Sequence, residues 1–413
     1  MKPKKLTHFL QDSSLITTTP PMKGNAMKNL RINFVAALIA VLGCSQAQAQ
    51  FSSGSDGSYG AIDIQANTNI ALPPDGIIHA TTINVAANRL LNFTRNANNT
   101  PVYLLATGDV TLTGDIGVSG SAGNNTVGGL GGPGGFDGGN PASVSTPPGD
   151  GYGPGAGHSG TTNGNNLDSA GPGGHATEST SASDNNGQPY GSALLMPIVG
   201  GSGGGGTTGN PGFGGGGGGG AIVIASSTSI HFTTSAAEVR SNGGSSNSSG
   251  RINGGSGGAI RLVAPVITGT GVIRVPGTSF GAPGRIRIDT LDRTGMSLSF
   301  VPVGVTSIGS LMVVFPTPVP RLDIIEAAGT EIAEGSGPVV MTLPFGSSAD
   351  RTIVVQARDF NSVVPIAVVL TPDNGDSVTY ETTIDNETTN PADVTVNVTL
   401  PVNVQTKINA WTR

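Results

Sequence analysis

The pentapeptide Gly60-Ala61-Ile62-Asp63-Ile64 returns as Gly220-Ala221-Ile222-Val223-Ile224, as Gly258-Ala259-Ile260-Arg261-Leu262 and as Gly284-Arg285-Ile286-Arg287-Ile288. A second half-repeat matches Thr113-Gly114-Asp115-Ile116-Gly117-Val118-Ser119-Gly120 to Thr270-Gly271-Val272-Ile273-Arg274-Val275-Pro276-Gly277, with Val239-Arg240-Ser241-Asn242-Gly243 as a looser copy. One unit is therefore a strand, a small turn, a second strand and a glycine-rich return. Each unit has too few apolar residues to bury a face alone, so like must stack on like, building a column from Ile62, Ile222, Ile260 and Ile286. Alternation then turns Ile222, Ile224, Ile260, Leu262, Ile286 and Ile288 inward. It leaves Arg261, Arg285 and Arg287 as a small basic stripe facing solvent, and a one-residue slip would bury unpaired charge. The expected class is all-β: an irregular right-handed parallel β-helix, or solenoid, whose returns differ in length. An antiparallel sandwich of the same short strands is the rival, because periodicity alone does not separate the two.

Composition closes off other classes. With 66 glycines, 28 prolines and 11% charged residues in 413, the chain lacks the text of a coiled coil, and its glycines lack the every-third-residue period of collagen. Six basic residues (Lys2, Lys4, Lys5, Lys23, Lys28, Arg31) and Asp12 lie in an N-terminal segment read below as a leader. Without them 14 basic and 25 acidic side chains remain. No Lys or Arg occurs between Arg95 and Arg240, so that stretch cannot neutralise phosphates, and nucleic acid is not an expected partner.

The leader is read from Met27-Lys28-Asn29-Leu30-Arg31, an apolar run over residues 34–42, and Ala47-Gln48-Ala49: a basic region, a hydrophobic region and an Ala-x-Ala site. Cleavage is expected between Ala49 and Gln50. Cys44, the only cysteine, allows a second reading, because Val41-Leu42-Gly43-Cys44 approximates a lipobox in which Cys44 is lipidated. The apolar run is short for a membrane span, and no later stretch is longer, so no transmembrane segment is expected in the mature chain. The expected organisation is an N-terminal extension and signal peptide (1–49), a first β-solenoid part (50–120), a glycine-rich loop region (121–220), β-solenoid coils (221–315), a Pro-rich linker (316–320) and a small C-terminal β-sandwich (321–413). The sandwich is expected to have about seven strands, near residues 323–327, 339–343, 352–357, 366–370, 378–384, 394–400 and 407–411. Within it Val394, Val396 and Val398 face inward, and Trp411, the only tryptophan, reads as a core residue before a sugar platform.

The seven glycines of residues 214–220 read either as a flexible loop or as backbone packed where no side chain fits, and residues 190–199 as an apolar anchor for that region. Candidate chemistry is sparse. Residues 131–137 imitate a calcium nonapeptide with the aspartate one place late, and His158 and His175 lack the neighbours of a metal site, reading as solvated loop residues. Asp109 and Asp115 are the only close acidic pair in the first strands and read as turn markers. No Gly-x-Ser-x-Gly, His-Glu-x-x-His or phosphate-binding loop occurs. Catalytic, cofactor and metal residues are accordingly expected to be none, and Arg261, Arg285 and Arg287 are the candidate glycan contacts.

Residues 55–300, best in Tyr190-Gly191-Ser192-Ala193-Leu194-Leu195 and in residues 257–264, resemble glycine-rich exported bacterial repeat proteins with Gly-Gly-Ala-Ile-x-Leu-x-Ala text, which are adhesin-like. The resemblance implies a secreted or cell-surface protein and supplies no catalytic residue. Two functions follow as expectations: a structural or adhesin-like extracellular protein without catalysis, in contact with polysaccharide or cell-surface components, or a carbohydrate-active β-helix protein, either lyase or glycan binder.

Overall fold

Short β-branched and apolar runs punctuated by Gly, Asn and Asp favour strands and turns over helices. In the computed structural model, which describes residues 51–160, 170–181, 185–209, 212–246 and 253–413, all regular structure is strand. The expected leader, with Cys44, Ala49 and Gln50, lies outside the described residues.

The first fourteen strands are β1 (Gly60–Ile64), β2 (Thr68–Ala71), β3 (Ile77–Val85), β4 (Leu90–Thr94), β5 (Val102–Ala106), β6 (Val110–Leu112), β7 (Asp115–Gly117), β8 (Ala221–Ser226), β9 (Ser229–Phe232), β10 (Glu238–Arg240), β11 (Ala259–Arg274), β12 (Arg285–Asp292), β13 (Met296–Val301) and β14 (Thr306–Gly309). They form one large sheet, ten strands of which follow a single path of neighbours. Its pairings are parallel and resolve into three ladders. The first stacks the start of β3, then β5, β8, the start of β11, β12 and β14. The second runs through β1, the end of β3, β6, β9 and the middle of β11. The third runs through β2, β4, β7, β10, the end of β11 and β13. Because β3 and β11 serve more than one ladder, the three are continuous.

The repeated text falls in register. Ile222, Ile260 and Ile286 pair in one row and Ile224, Leu262 and Ile288 in another, all within one apolar core. Ile116, Val239 and Ile273, from the half-repeat, pair on the third ladder. Ile62 departs from the expected column: it is buried in the same core but pairs with Ile83 on the second ladder, and Val102 takes the place beside Ile222. The pentapeptide marks an inward–outward alternation, which any of the three ladders can use.

Every return from the third ladder to the first (residues 72–76, 95–101, 118–220, 241–258, 275–284 and 302–305) leaves from the end of a third-ladder strand and enters the start of a first-ladder strand. The described part of the longest of these returns is not a loose loop. Amides of Gly214, Gly217 and Gly220 donate to carbonyls of Asn124, Ser121 and Val118; those of Gly215, Gly218 and Ala221 to Gly139, Phe136 and Pro133; those of Gly216 and Gly219 to Asn253 and Ser256. The carbonyls of Gly215 and Gly218 accept from Gly129 and Gly132, those of Gly216 and Gly219 from Gly204 and Gly201, and that of Gly217 from Gly244. Five of the six neighbours are met at every third residue, the period of the polyproline II conformation, which makes no internal hydrogen bonds. A three-residue period with both donors and acceptors turned outward lets one segment bond to six others, provided nothing larger than hydrogen separates them. A Cβ on Gly216 would fall within the envelope of the Gly244 carbonyl, and one on Gly218 within that of Gly201. The second sequence reading of the glycine run, close backbone packing, therefore describes it; composition argued for a loop because it counts apolar side chains, and this packing uses none. Of the expected apolar anchor, Leu195 and Ile198 are buried against the outer face of the first ladder, whereas Leu194 is exposed.

The remaining strands are antiparallel: β15 (Arg321–Ala327), β16 (Thr330–Glu331), β17 (Asp350–Arg358), β18 (Val363–Pro372), β19 (Val378–Asp385), β20 (Ala392–Thr399) and β21 (Thr406–Thr412). They form a four-stranded sheet, β16-β15-β17-β20, and a three-stranded one, β19-β18-β21. Ile353, Val355, Val396 and Val398 of the first share one apolar cluster with Ile366, Val368, Leu370 and Ile384 of the second. Two expectations need correction. Residues 339–343 form no strand; Val339, Val340 and Leu343 are exposed, and the additional strand is the two-residue β16. Trp411 lies outside that shared cluster, which takes Ile408 and Ala410 of the same strand; alternation turns Trp411 to the other side, edge-on to Phe136 of the glycine-rich region at 5.7 Å.

Gly218→Ala is expected to cost at least about 1–3 kcal/mol, because the new methyl group has no cavity to enter and only backbone to push against. Chemical denaturation checks this, with the exposed Ser297→Ala as control. An unchanged midpoint for Gly218→Ala would contradict the packing described.

Candidate functional site

The basic stripe expected on the outer face of the first ladder is not at the surface. Outward positions in β8 and β11 include Ala221, Val223, Ala225, Ala259 and Val263, and Leu195, Ile198, Met312, Val314 and Phe315 cover them. Arg261 lies under that cover, its side chain 1% exposed. Its Nε and Nη2 donate to Asp289 Oδ2 at 3.0 and 2.9 Å, and Nη2 also donates to the carbonyls of Leu311 and Val313. Arg287 donates to Asp289 Oδ1 from Nε and Nη2 at 2.9 and 2.6 Å, and the Leu311 amide donates to the same oxygen. Arg285 is half-buried and donates to the Tyr190 carbonyl. Two of the three arginines are thus closed off from a polymer, and the third is committed to the chain. The alternation was read correctly, but an outward side chain meets solvent only if nothing is laid over it. Val223 and Val263, apolar at outward positions, were the signal that something was.

The other candidates separate as well. Asp109 accepts from Thr228 and Ser229, which hold its carboxyl below the usual range, while Asp115 pairs with Arg240 and accepts the Glu238 amide. They have different partners and do not act as a pair. His175 is buried rather than solvated: it stacks on Tyr190 at 4.7 Å and bonds to the Gly257 carbonyl, and burial pushes it down to about 4. No group of three or more His, Cys, Asp or Glu able to hold a metal occurs among the described residues.

A polar junction joins the glycine-rich region to the antiparallel strands, and sequence reasoning missed it. The Asp150 side chain, fully buried, accepts from the Ser159 amide at 2.6 Å and from the Ser377 amide and hydroxyl at 2.9 and 2.7 Å, with His158 Nδ1 at 3.0 Å. Burial works to raise this carboxyl, but the His158, Ser377 and Ser159 bonds outweigh it and hold it below its ordinary value. The same bond raises the half-exposed His158, with Asp376 adding to the effect. Nearby, Tyr152 donates to Asp373, Ser159 to Asp376, and Lys407 Nζ stands 3.9 Å from the centre of the Tyr152 ring and 3.5 Å from Asp137, which also pairs with Arg95. Both serine hydroxyls donate to carboxylates, so the Ser, His and Asp side chains here form a clamp and not a nucleophile relay. Nothing in the sequence spacing marks it, since its halves lie more than 200 residues apart.

Two open polar hollows occur among the described residues: one of about 490 Å³ on the antiparallel strands, beside Asp350, Arg351 and Asn397, and a groove of about 350 Å³ on the outer face of the third ladder. Asn69, Asn92, Gly117, Arg240 and Arg274 pair in succession across β2, β4, β7, β10 and β11, so they form one outward row along the stack. Leu90, Pro133 and Ser119 wall the groove at the glycine position. No helix among the described residues is long and apolar enough to cross a membrane. No family model matches the chain, and neither curated proteins nor solved structures give a match.

Two outcomes are expected. Asp289→Ala leaves two buried guanidinium groups without their carboxylate and should cost about 3–5 kcal/mol, against roughly 1 or less for Asp115→Ala in a half-exposed pair; urea denaturation compares them. The second concerns pH. His158, raised in the fold, contributes stability that is full below its ordinary 6.5 and lost as pH rises through the raised value. Asp150, depressed in the fold, contributes stability that is full above 3.8 and lost as pH falls through the depressed value. The junction is therefore expected to be tightest between pH 3.8 and 6.5. The stability difference between the native chain and His158→Gln should shrink as pH rises above that window, and a difference independent of pH would contradict the assignment.

Proposed function

We propose that this chain is an exported structural or adhesin-like protein of the cell surface or extracellular space, without catalytic activity. The three parallel ladders are read as the faces of an irregular right-handed β-solenoid, the glycine-rich returns as a bundle packed on one corner of it, and the seven antiparallel strands as a small β-sandwich for interaction. One observation carries the reading: the buried charged groups Asp150, Arg261 and Asp289 and the half-buried Asp137 each tie together separate segments of the chain. Groups spent on holding segments together are not free for acid–base work, which needs titratable side chains converging on an open cleft. Polysaccharide or other cell-surface components are the proposed partners, and neither nucleic acid nor a cofactor has a role in the proposal.

The test is made on protein secreted by an expressing culture. Its N-terminus is expected to be Gln50, with lipidated Cys44 the outcome that would assign it to lipoproteins. Incubated with pectin, alginate and neutral polysaccharides, it should release neither unsaturated nor reducing ends. Release that disappears in Asp109→Ala, Asp115→Ala or Arg240→Ala would overturn the noncatalytic reading and make the outer solenoid face an active site.

A further inference from the structure

The glycines around the third ladder fall into two kinds. At Gly114 an added Cβ would meet the backbone carbonyls of Ala86 and Arg89, and at Gly120 the carbonyls of Gly217 and Gly218, so the fold itself excludes a side chain there. Gly117 is different. Its backbone is outside the left-handed region, and the three atoms nearest an added Cβ are all side-chain atoms: Asn92 Oδ1 at 2.6 Å, with Arg240 Nε and Leu90 Cδ1 both at 3.5 Å, an ordinary contact distance. The tip of the exposed Asn92 can swing aside, so neither conformation nor backbone packing requires glycine at this position. Yet it sits in the middle of an outward row of long polar side chains and leaves a gap between Asn92 and Arg240. Glycine inside a strand recurs where a ligand approaches closely.

We propose that this gap is a binding site for a short segment of a neutral glycan lying along the stack, which deepens the surface-contact reading above and rests on it. The chemistry of the lining selects the class. Arg240 commits Nη1 to Asp115 Oδ2 at 3.2 Å, which offsets its charge and leaves its other nitrogens as donors. The Asn92 amide, exposed at the mouth, adds a donor and an acceptor, and Ser119 a hydroxyl. Leu90 and Pro133 supply an apolar wall. Planar amide and guanidinium groups beside an apolar wall match a sugar ring, which carries hydroxyls at its rim and C–H groups on its faces. A polyanion is disfavoured because Asp115 and Glu238 stand beside the two arginines of the row. The volume is at the low end of small-molecule sites, enough for a few sugar units and not for a folded partner. Adjacent ladder positions are about 4.7–4.9 Å apart, so an extended polymer would present a sugar to successive coils.

Binding of the full mature chain to neutral β-linked oligosaccharides of glucose, xylose, mannose and galactose, with oligogalacturonate as the acidic counter-probe, is measured by titration calorimetry. Gly117→Leu fills the gap, and the exposed Asn92→Ala removes the amide without threatening the fold. Both are expected to weaken a neutral probe at least tenfold, with the thermal midpoint of Asn92→Ala unchanged. No binding across the neutral set, binding of the acidic probe alone, or neutral binding indifferent to Asn92→Ala would overturn the proposal. Adhesion that survives both substitutions would leave the surface-contact reading standing while removing this groove from it; cleavage of a probe that depends on the groove would keep the site and overturn the noncatalytic reading.

Discussion

A backbone that leaves a sheet still has to pair its amides and carbonyls once it is buried. In residues 214–220 that demand is met without a sheet or a helix, by a segment that bonds to five of its six neighbours at every third residue. The rest of the structure depends on this arrangement. The returns from the third ladder to the first all leave the ends of third-ladder strands, and long returns would otherwise be loose chain carrying large entropy. Residues 118–139, 201–206, 214–220 and 253–258 instead bond backbone to backbone, and this assembly meets the antiparallel strands through Phe136 against Trp411 and Asp137 against Lys407. Glycine is costly to order, by about 0.5–1 kcal/mol relative to alanine. Close approach with saturated hydrogen bonding offsets the cost, and the same approach forbids the alanine.

The core of the parallel ladders and the glycine-rich region use opposite chemistry for the same end. In the ladders, rows such as Ile222, Ile260 and Ile286 exclude water with side chains. In the returns, water is excluded by the absence of side chains. Charged groups then join the parts. Asp289 gathers Arg261, Arg287 and the backbone of residues 311–313, fastening the segment that leads away from the ladders onto their outer face. Asp150 and Asp137 do the same for the antiparallel strands. Buried charges arranged this way add specificity of placement more than stability, since desolvation consumes much of their attraction.

Against this economy the row containing Asn92, Gly117 and Arg240 stands apart. It is polar, open, and interrupted by a glycine that no backbone contact demands. The arginines singled out by sequence alternation are the ones the fold covers or commits, and those of the second half-repeat, Arg274 and, in its looser copy, Arg240, are the ones it leaves in reach of solvent.

Strand class and the facing of alternate residues were legible in the chain because they are properties of local alternation, and the repeated Gly-Ala-Ile-x-Ile text put Ile222, Ile260 and Ile286 in one row; parallel against antiparallel pairing was not legible, because alternation is the same in both. The strands of residues 352–400 were legible for the same reason. What alternation cannot carry is what lies on the far side of a strand. Arg261 was read as solvated because periodicity distinguishes two faces and says nothing of a third layer, here supplied by residues 195–198 and 312–315. Trp411 was misplaced inward because its partner Phe136 is 275 residues away in sequence. The order of the glycine-rich region was invisible to composition, since a stretch without side chains looks the same whether it is solvated or hydrogen-bonded to six neighbours. Local chemistry settled which residues could be strands and which way they faced; only the packing of distant segments decided which faces were covered, which glycines were compelled, and which one was left as a gap.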